Sequence, residues 1–476
     1  MKMLILGIDG LGHDNLSSFG LTRLKARLDA GLCGNPQVDN NLSRGWCEIY
    51  SGQDCFGSGG FYQVPKKTGG RVTATQKTGL GRVISHVGAD QMLWSRINAL
   101  GLSMGIFTVP TITSPQQIDG FCVAGTGGGS FGGALSAKSL HPANLLEHRR
   151  IMGADLGFRM GYGSYLPKSV ENLELVANKH LSDYFTTLRT ALDRKPVDVA
   201  FVGTRFINEL SYKFAKLVKQ DPADKDAAAL KQLVLALADA FDVMIDAFIA
   251  AADPDHVFVV SDHGIKSFDY RFNMNEALVD LGLVARDDLR FRAKTIIKPL
   301  QKVRVKGPTN PVIGMTYKLQ DSTAFSCGYT NAVYLNDDRF FGKALEPAER
   351  TRLATDIAAR LQDRCRTEPG MQDVTFGAIE RGAYTDAPAA DRLPMPDIRC
   401  SLPDGVVNLK QTQGISEAVT NDFGLGLYKT GVPGEYSGCK SSDTLAGYVG
   451  AHGDAVTLNR LTDLYGSILS VAGRIA

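Results

Sequence analysis

An acid and an imidazole stand side by side at Asp262-His263, with Gly264 directly behind them. A carboxylate next to a neutral imidazole suits a borderline divalent cation such as zinc or manganese. The preceding run, Val257-Phe258-Val259-Val260, reads as a strand buried on both faces. In open α/β sheets, ligands gather beyond the carboxyl ends of such strands, and a glycine there lets the backbone turn away at once. Taken alone, the tripeptide is more simply a strand running into a capped turn. A second apolar run, Leu4 to Ile8, ends in Asp9-Gly10-Leu11-Gly12, which makes Asp9 another candidate ligand; by itself it is more simply the cap of the next helix. A third place is Ser43-Arg44. A short helix starting near Ser43 puts the hydroxyl at a helix N-terminus, where unpaired backbone N–H groups attract anions, and Arg44 can clamp phosphate or sulfate oxygens in bidentate fashion. The plain alternative is an N-cap serine. Gly57-Ser58-Gly59-Gly60 matches neither a Walker loop nor the dinucleotide fingerprint.

The elements that must position these residues are legible from periodicity. Ala227 to Ala251 carries Leu230, Leu233, Val234, Leu237, Phe241, Met244, Ile245 and Phe248 at helical spacing. With a strand over Val197 to Val202 before it and the Val257 strand after it, the pattern is a βαβ unit. Further helices are expected over Met92–Leu100, Asn172–Leu192, Ala277–Leu283, Pro347–Asp363 and Leu458–Gly473, and strands near Gly105–Pro110, Phe121–Ala124 and Asn331–Asn336. Residues 286–320 are basic and irregular; Lys294, Lys298, Lys302, Arg304, Lys306 and Lys318 suit either a solvated loop or a lid over an anionic substrate.

The 476 residues are 44% hydrophobic and 21% charged, with a net charge of +2, an ordinary soluble composition. Nothing in that balance argues for nucleic acid or an acidic membrane. The opening apolar run reads as a strand rather than a signal peptide, and no run reaches membrane-spanning length. The eight cysteines are scattered without a Cys-x-x-Cys pair, which suits reduced thiols and a cytoplasmic location.

Together these segments resemble the alkaline phosphatase superfamily, most closely its nucleotide pyrophosphatase/type I phosphodiesterase-like branch. Gly7-Ile8-Asp9-Gly10 looks like the family's opening strand with its first metal carboxylate. Trp46 with Ser51-Gly52 looks like the helix after the nucleophile. Trp94, Gly105 to Pro110, Pro115, Gly120 and Gly125 follow the strand-and-proline segment. Ser261-Asp262-His263-Gly264 with Asn275-Glu276 is the most specific match, and Tyr334-Leu335-Asn336 and Pro396-Asp397-Ile398 resemble the later insert. The resemblance implies a three-layer α/β sandwich with a mostly parallel sheet, here one domain over 1–476 with a cap inserted at about 286–400. It implies two divalent cations flanking a Ser or Thr nucleophile. Asp9, Asp262 and His263 match one metal site. Counting back from Trp46, the nucleophile falls at Leu42 or Ser43; leucine cannot attack, so Ser43 is expected after a one-residue shift.

The second metal site departs from the family. Its Asp-x-x-x-His pattern after the Val197 strand is replaced by Asn208 and Tyr212, with Glu209 the nearby carboxylate. Its last histidine falls at Lys440, and His452 fits only if the loop is realigned. An ammonium has no lone pair for a cation. Two consequences are open. Either a one-metal phosphoesterase uses Lys440 and Arg44 on the substrate's anionic oxygens, with Asn208 beside them, or the chain is a non-catalytic anion binder or a phosphoryl or sulfuryl transferase. The Cys-x-Pro-x-Arg sulfatase signature is absent near residue 43. The expected substrate is a small-molecule phosphate ester.

Overall fold

A computed structural model of the chain describes residues 1–39, 42–68, 71–75, 79–124, 135–146, 156, 158, 170–288, 317–327, 330–380, 394–408, 414–419 and 437–476. The central sheet is built from β1 (Met3–Ile8), β2 (Leu32–Gly34), β3 (Met104–Phe107), β4 (Gly120–Val123), β5 (Leu140–His141), β6 (Val199–Thr204), β7 (His256–Val260) and β8 (Ala446–Val449). Their spatial order is β2-β8-β7-β1-β6-β3-β4-β5. The five inner strands β7, β1, β6, β3 and β4 run parallel, while β8, β2 and β5 pair antiparallel at the two edges.

The helices that pack around the sheet and the site include α1 (Gly45–Ser51), α2 (Val170–Arg194), α3 (Phe206–Val218), α4 (Lys225–Ala252), α5 (Pro347–Arg366) and α6 (Leu461–Ile475). Side chains alternate across a strand, so β1 feeds two cores. Leu4, Leu6 and Ile8 pack with α2, α3 and α4 on one face; Met3 and Ile5 pack with α1 and α6 on the other. That is the expected three-layer sandwich. A third apolar cluster is separate from both. It holds α5 and an antiparallel sheet in the order Ala324–Ser326, Ala332–Leu335, Ile398–Ser401, Thr375–Ala378. The cluster extends beyond 286–400 to Phe272 and Met274 on one side and to Val406 and Ile415 on the other, and it takes in Leu42 and Phe61.

The segment after β6 that carries Asn208, Glu209 and Tyr212 is helix α3. Its positions from Phe206 to Val218 are buried except Tyr212. Gly264 does not serve a turn: it opens the strand Gly264–Phe272, and a Cβ there would lie 1.6 Å from the Asp443 carbonyl oxygen. Glycine is needed because two backbones touch. The Gly125–Gly133 loop and Lys294, Lys298, Lys302, Arg304 and Lys306 lie outside the described residues. Among the described residues no helix is long and apolar enough to cross a membrane.

Candidate active site

Asp9 follows β1, Arg205 follows β6, and Asp262 and His263 follow β7. These three strands are neighbours in the sheet, so their carboxyl ends deliver an acid, a guanidinium and an acid–imidazole pair to one place. Ligand atoms of Asp9, Asp262 and His263 all lie within 4.8 Å of one another, and all three residues are buried. His263 Nδ1 lies 2.8 Å from the Gly264 carbonyl oxygen and so is the nitrogen that carries the proton. Its Nε2 lone pair then faces Asp262 Oδ2 at 3.5 Å and Asp9 Oδ1 at 3.7 Å. This is the tautomer lock that metal-binding histidines use.

Electrostatics agree. Burial pushes the Asp9 carboxyl up, the neighbouring Asp262 adds to the rise, and Arg205 opposes it. Burial likewise raises Asp262 against the opposing charge of Lys440. His263 is driven down to about 3 by burial and then by Lys440, which keeps the imidazole neutral. Asp262 Oδ1 is buried with no hydrogen-bond partner. Two buried carboxylates, a neutral imidazole nitrogen and an orphaned oxygen form a donor set that a divalent cation of the zinc or manganese class fits.

Asp9 is fixed by its other oxygen. Trp46 Nε1 donates to Oδ2 at 3.1 Å, and Arg205 Nε lies 3.5 Å from the same atom. Arg205 also reaches Glu209 Oε1 at 3.3 Å, so the Glu209 carboxylate already faces a guanidinium. Arg205 was not singled out in the sequence. Its position at the carboxyl end of the strand beside β1 is the signal that could have found it.

Ser43 settles on the cavity side through alternation. Arg44 N donates to Gly60 O at 2.8 Å and Tyr62 N to Leu42 O at 2.9 Å, and Ser43 bridges Phe61. This extended backbone sends Leu42 into the cap-side core and Ser43 the opposite way. There it lines a small cavity of about 10 Å³ with Asp39, Asp262, His263, Lys440 and Glu48. Ser43 is 5% exposed, and its hydroxyl faces Glu48 and Cys55. Helix α1 starts later than expected: Arg44 is its N-cap and Ser43 stands outside it. The Arg44 charge acts on Cys47 and Tyr50, and Arg44 is not among the residues lining the cavity.

Lys440 belongs to the strand Gly438–Ser441, paired with the strand that begins at Gly264. Its Nζ lies 4.0 Å from Asp262 Oδ2 and 4.6 Å from the centre of the Tyr62 ring, a cation–π seat. Asn208 is fully buried on α3, and neither its Oδ1 nor its Nδ2 has a partner. Tyr212, one helical turn on, holds its ring centre 6.4 Å from that of His263.

His452 is not brought to the site. It stacks on His256 at 4.9 Å, and His256 is the first residue of β7. His452 therefore sits at the amino end of the strand whose carboxyl end carries Asp262. The physical reason is strand β8, which runs antiparallel to β7 and carries the chain after Lys440 down to the far edge.

No family model matches the sequence, and no curated protein matches it. Solved structures with a similar course along nearly the whole chain include murine ectonucleotide pyrophosphatase/phosphodiesterase 5, at 11% identity, 99% of this chain, 95% of that chain and TM-score 0.44. The human counterpart gives 9% identity, 99%, 95% and 0.46. Phosphonoacetate hydrolase from Sinorhizobium meliloti, in complex with phosphonoformate, gives 12% identity, 99%, 95% and 0.44. At these values the function has to be read from the chain's own residues.

Proposed function

We propose that the chain is a metal-dependent phosphoesterase of the alkaline phosphatase type, hydrolysing a phosphate ester of a small molecule. The observation that carries this reading is the buried Ser43 hydroxyl in one cavity with Asp262 and His263, which form a donor set with Asp9. When bound, a divalent ion at those three residues supplies Lewis-acid polarisation of a phosphoryl oxygen. Ser43 Oγ attacks phosphorus, an O–P bond forms, and the ester P–O bond breaks as the leaving alcohol takes up a proton. Water then hydrolyses the phosphoseryl group and restores the hydroxyl. Lys440 neutralises the non-bridging oxygens, and the fixed Arg205 charge faces the same region through Asp9. Asn208 offers an unused amide to whatever enters. One ion per chain is expected, because Asn208, Tyr212 and Lys440 stand where a second site needs carboxylate and imidazole.

Turnover of p-nitrophenyl phosphate and bis(p-nitrophenyl) phosphate, with zinc or manganese added, tests this directly. Ser43→Ala and Asp262→Ala should each lose at least about 10³-fold in kcat/KM, and only Asp262→Ala should lose the bound ion. If Ser43→Ala matches wild type, the nucleophile is misassigned. The same departures at Asn208, Tyr212 and Lys440 favour a second reading, an anion binder without turnover. That reading predicts one bound ion, protection by phosphate, and no hydrolysis of either ester.

A further inference from the structure

Two acids that line the cavity, Asp39 and Glu48, have no part in holding a cation, and Asp39 is already bound to Arg399 at 2.8 Å. Glu48 lies on α1, its side chain lines the same cavity as Ser43, and it is 6% exposed. Among the described residues it forms no ion pair, although the buried acids Asp337 and Asp397 of the cap do. We propose that Glu48 is the general base that takes the proton of the Ser43 hydroxyl, an inference that rests on Ser43 being the attacking group.

The need for such a base follows from the site. A hydroxyl attacks well only if its proton has somewhere to go. Where two cations flank the nucleophile, the second lowers the hydroxyl's pKa, and here that position holds Asn208, Tyr212 and Lys440. The other groups near Ser43 cannot serve. His263 Nε2 is turned to Asp9 and Asp262, the Asp39 carboxylate is held by Arg399, and the Lys440 ammonium has no lone pair to accept a proton. Glu48 remains.

Its surroundings set it for that task. Asp39 faces it from the preceding segment, Asp54 from the cap of the short helix Cys55–Ser58, and Arg460 from the residue before α6. Asp39 is itself bound to Arg399 at 2.8 Å. Burial raises Glu48 to about 7; the Ser43 hydroxyl works against the rise, Asp39 and Asp54 add to it, and Arg460 opposes. A base poised near neutrality combines a useful ionised fraction with useful basicity. The step balances: the Ser43 proton passes to the Glu48 carboxylate as the Oγ–P bond forms, and Glu48 returns it to the departing alkoxide as the ester bond breaks.

The test measures Ser43 reactivity separately from ester turnover. A fluorophosphonate forms an Oγ–P bond and expels fluoride, and the serine proton leaves through the base to water. Intact-mass labelling rates between pH 5 and 9 would be compared for wild type, Glu48→Gln, Glu48→Asp and Ser43→Ala, alongside hydrolysis of p-nitrophenyl phosphate and melting temperatures. Wild-type labelling should rise with pH through about 7. Glu48→Gln should be slower by roughly 10²-fold or more and lose that rise, with the bound ion retained. Glu48→Asp should keep the rise at an intermediate rate. If Glu48→Gln labels Ser43 at the wild-type rate with the wild-type pH profile, or if Ser43 is not labelled in any protein, the proposal is overturned. If Glu48→Gln fails to fold, a Glu48→Asp rate equal to wild type overturns it instead. Glu48-dependent labelling in a protein that hydrolyses no ester would sink the phosphoesterase reading and leave this one standing.

Discussion

At the scale of single residues, the two carboxylates of Asp9 and Asp262 are out of place without a cation. Both have folded-state pKa values raised above 3.8, chiefly by burial. A raised carboxyl pKa contributes stability below the unfolded value, and that contribution is lost as pH rises through the folded one. In a chelator at neutral pH the pair therefore costs stability. Asp262→Asn should abolish the bound ion and yet melt, in chelator, at or above wild type by roughly 2 °C. A clearly lower melting temperature would mean that the carboxylate stabilises the fold in its own right. His263 acts with the opposite sign. Its pKa falls from 6.5 to about 3 in the folded chain, so the neutral ring's contribution is intact above about 6.5 and drains away as pH falls toward 3. Wild type in chelator should thus lose stability on the acid side through His263 and on the alkaline side through Asp9 and Asp262. The ion should remove the alkaline loss. Asp9, Asp262 and His263 were legible because each ends an apolar run. Arg205 and Glu48 were not: an arginine after a strand and an acid inside a helix are ordinary residues until the fold shows what they face.

At the scale of elements, the site is a product of strand register. β1 and β6 end level and β7 one residue short of them, so Asp9 and Arg205 stand one residue past their strands and Asp262 two past its own. The Leu42–Ser43 ambiguity could not be resolved by counting from Trp46. It yields to the pairing of 42–44 with 60–62, since alternation sends one residue to each side. That pairing is long-range and invisible to local periodicity, as is the antiparallel strand β8 that carries His452 away. The contact of Gly264 with the Asp443 carbonyl gives a further prediction. Gly264→Ala forces two backbones apart where Asp262 and His263 are held. It should destabilise the chain by about 3 kcal/mol or more, a size that needs a mechanism such as backbone collision. It should also weaken metal binding through displaced ligands rather than lost ones. Urea unfolding reports the first effect and titration with manganese the second; full affinity in Gly264→Ala would detach the ligands' placement from that contact.

At the scale of the whole molecule, two bodies of apolar packing have to be held together, and the smaller has its own polar anchor. In the cap, Asp337 and Asp397 are fully buried and answered by Arg339 and Arg350. Arg339 bonds Asp337 at 2.8 Å and Asp397 at 2.8 Å, and Arg350 joins Asp397 at 3.0 Å and also Asp337. Asp397 further accepts the Leu335 backbone N–H at 2.8 Å. The four charges therefore tie α5 to the two middle strands of the cap sheet. The sequence matches at Tyr334-Leu335-Asn336 and Pro396-Asp397-Ile398 are this anchor, with no contact to the cavity residues given above. Asn275 and Glu276 are structural in the same way. Asn275 exchanges hydrogen bonds with the Ser326 backbone, and Glu276 accepts from Tyr317 at 2.8 Å and from Arg286. Removing one partner leaves a buried charge uncompensated, which costs about 3–5 kcal/mol. Arg350→Ala should therefore loosen the cap well before the sandwich. Its urea unfolding should split into two transitions, an early one reporting the cap cluster and a later one near the wild-type midpoint. Metal binding at Asp9, Asp262 and His263 should persist through the first. One cooperative transition, shifted as a whole and with loss of the ion at the same point, would instead mean that the cap and the sandwich fold as a single unit. Leu42 and Phe61 belong to that same apolar cluster and flank Ser43 directly, so in that case its packing would set the position of Ser43.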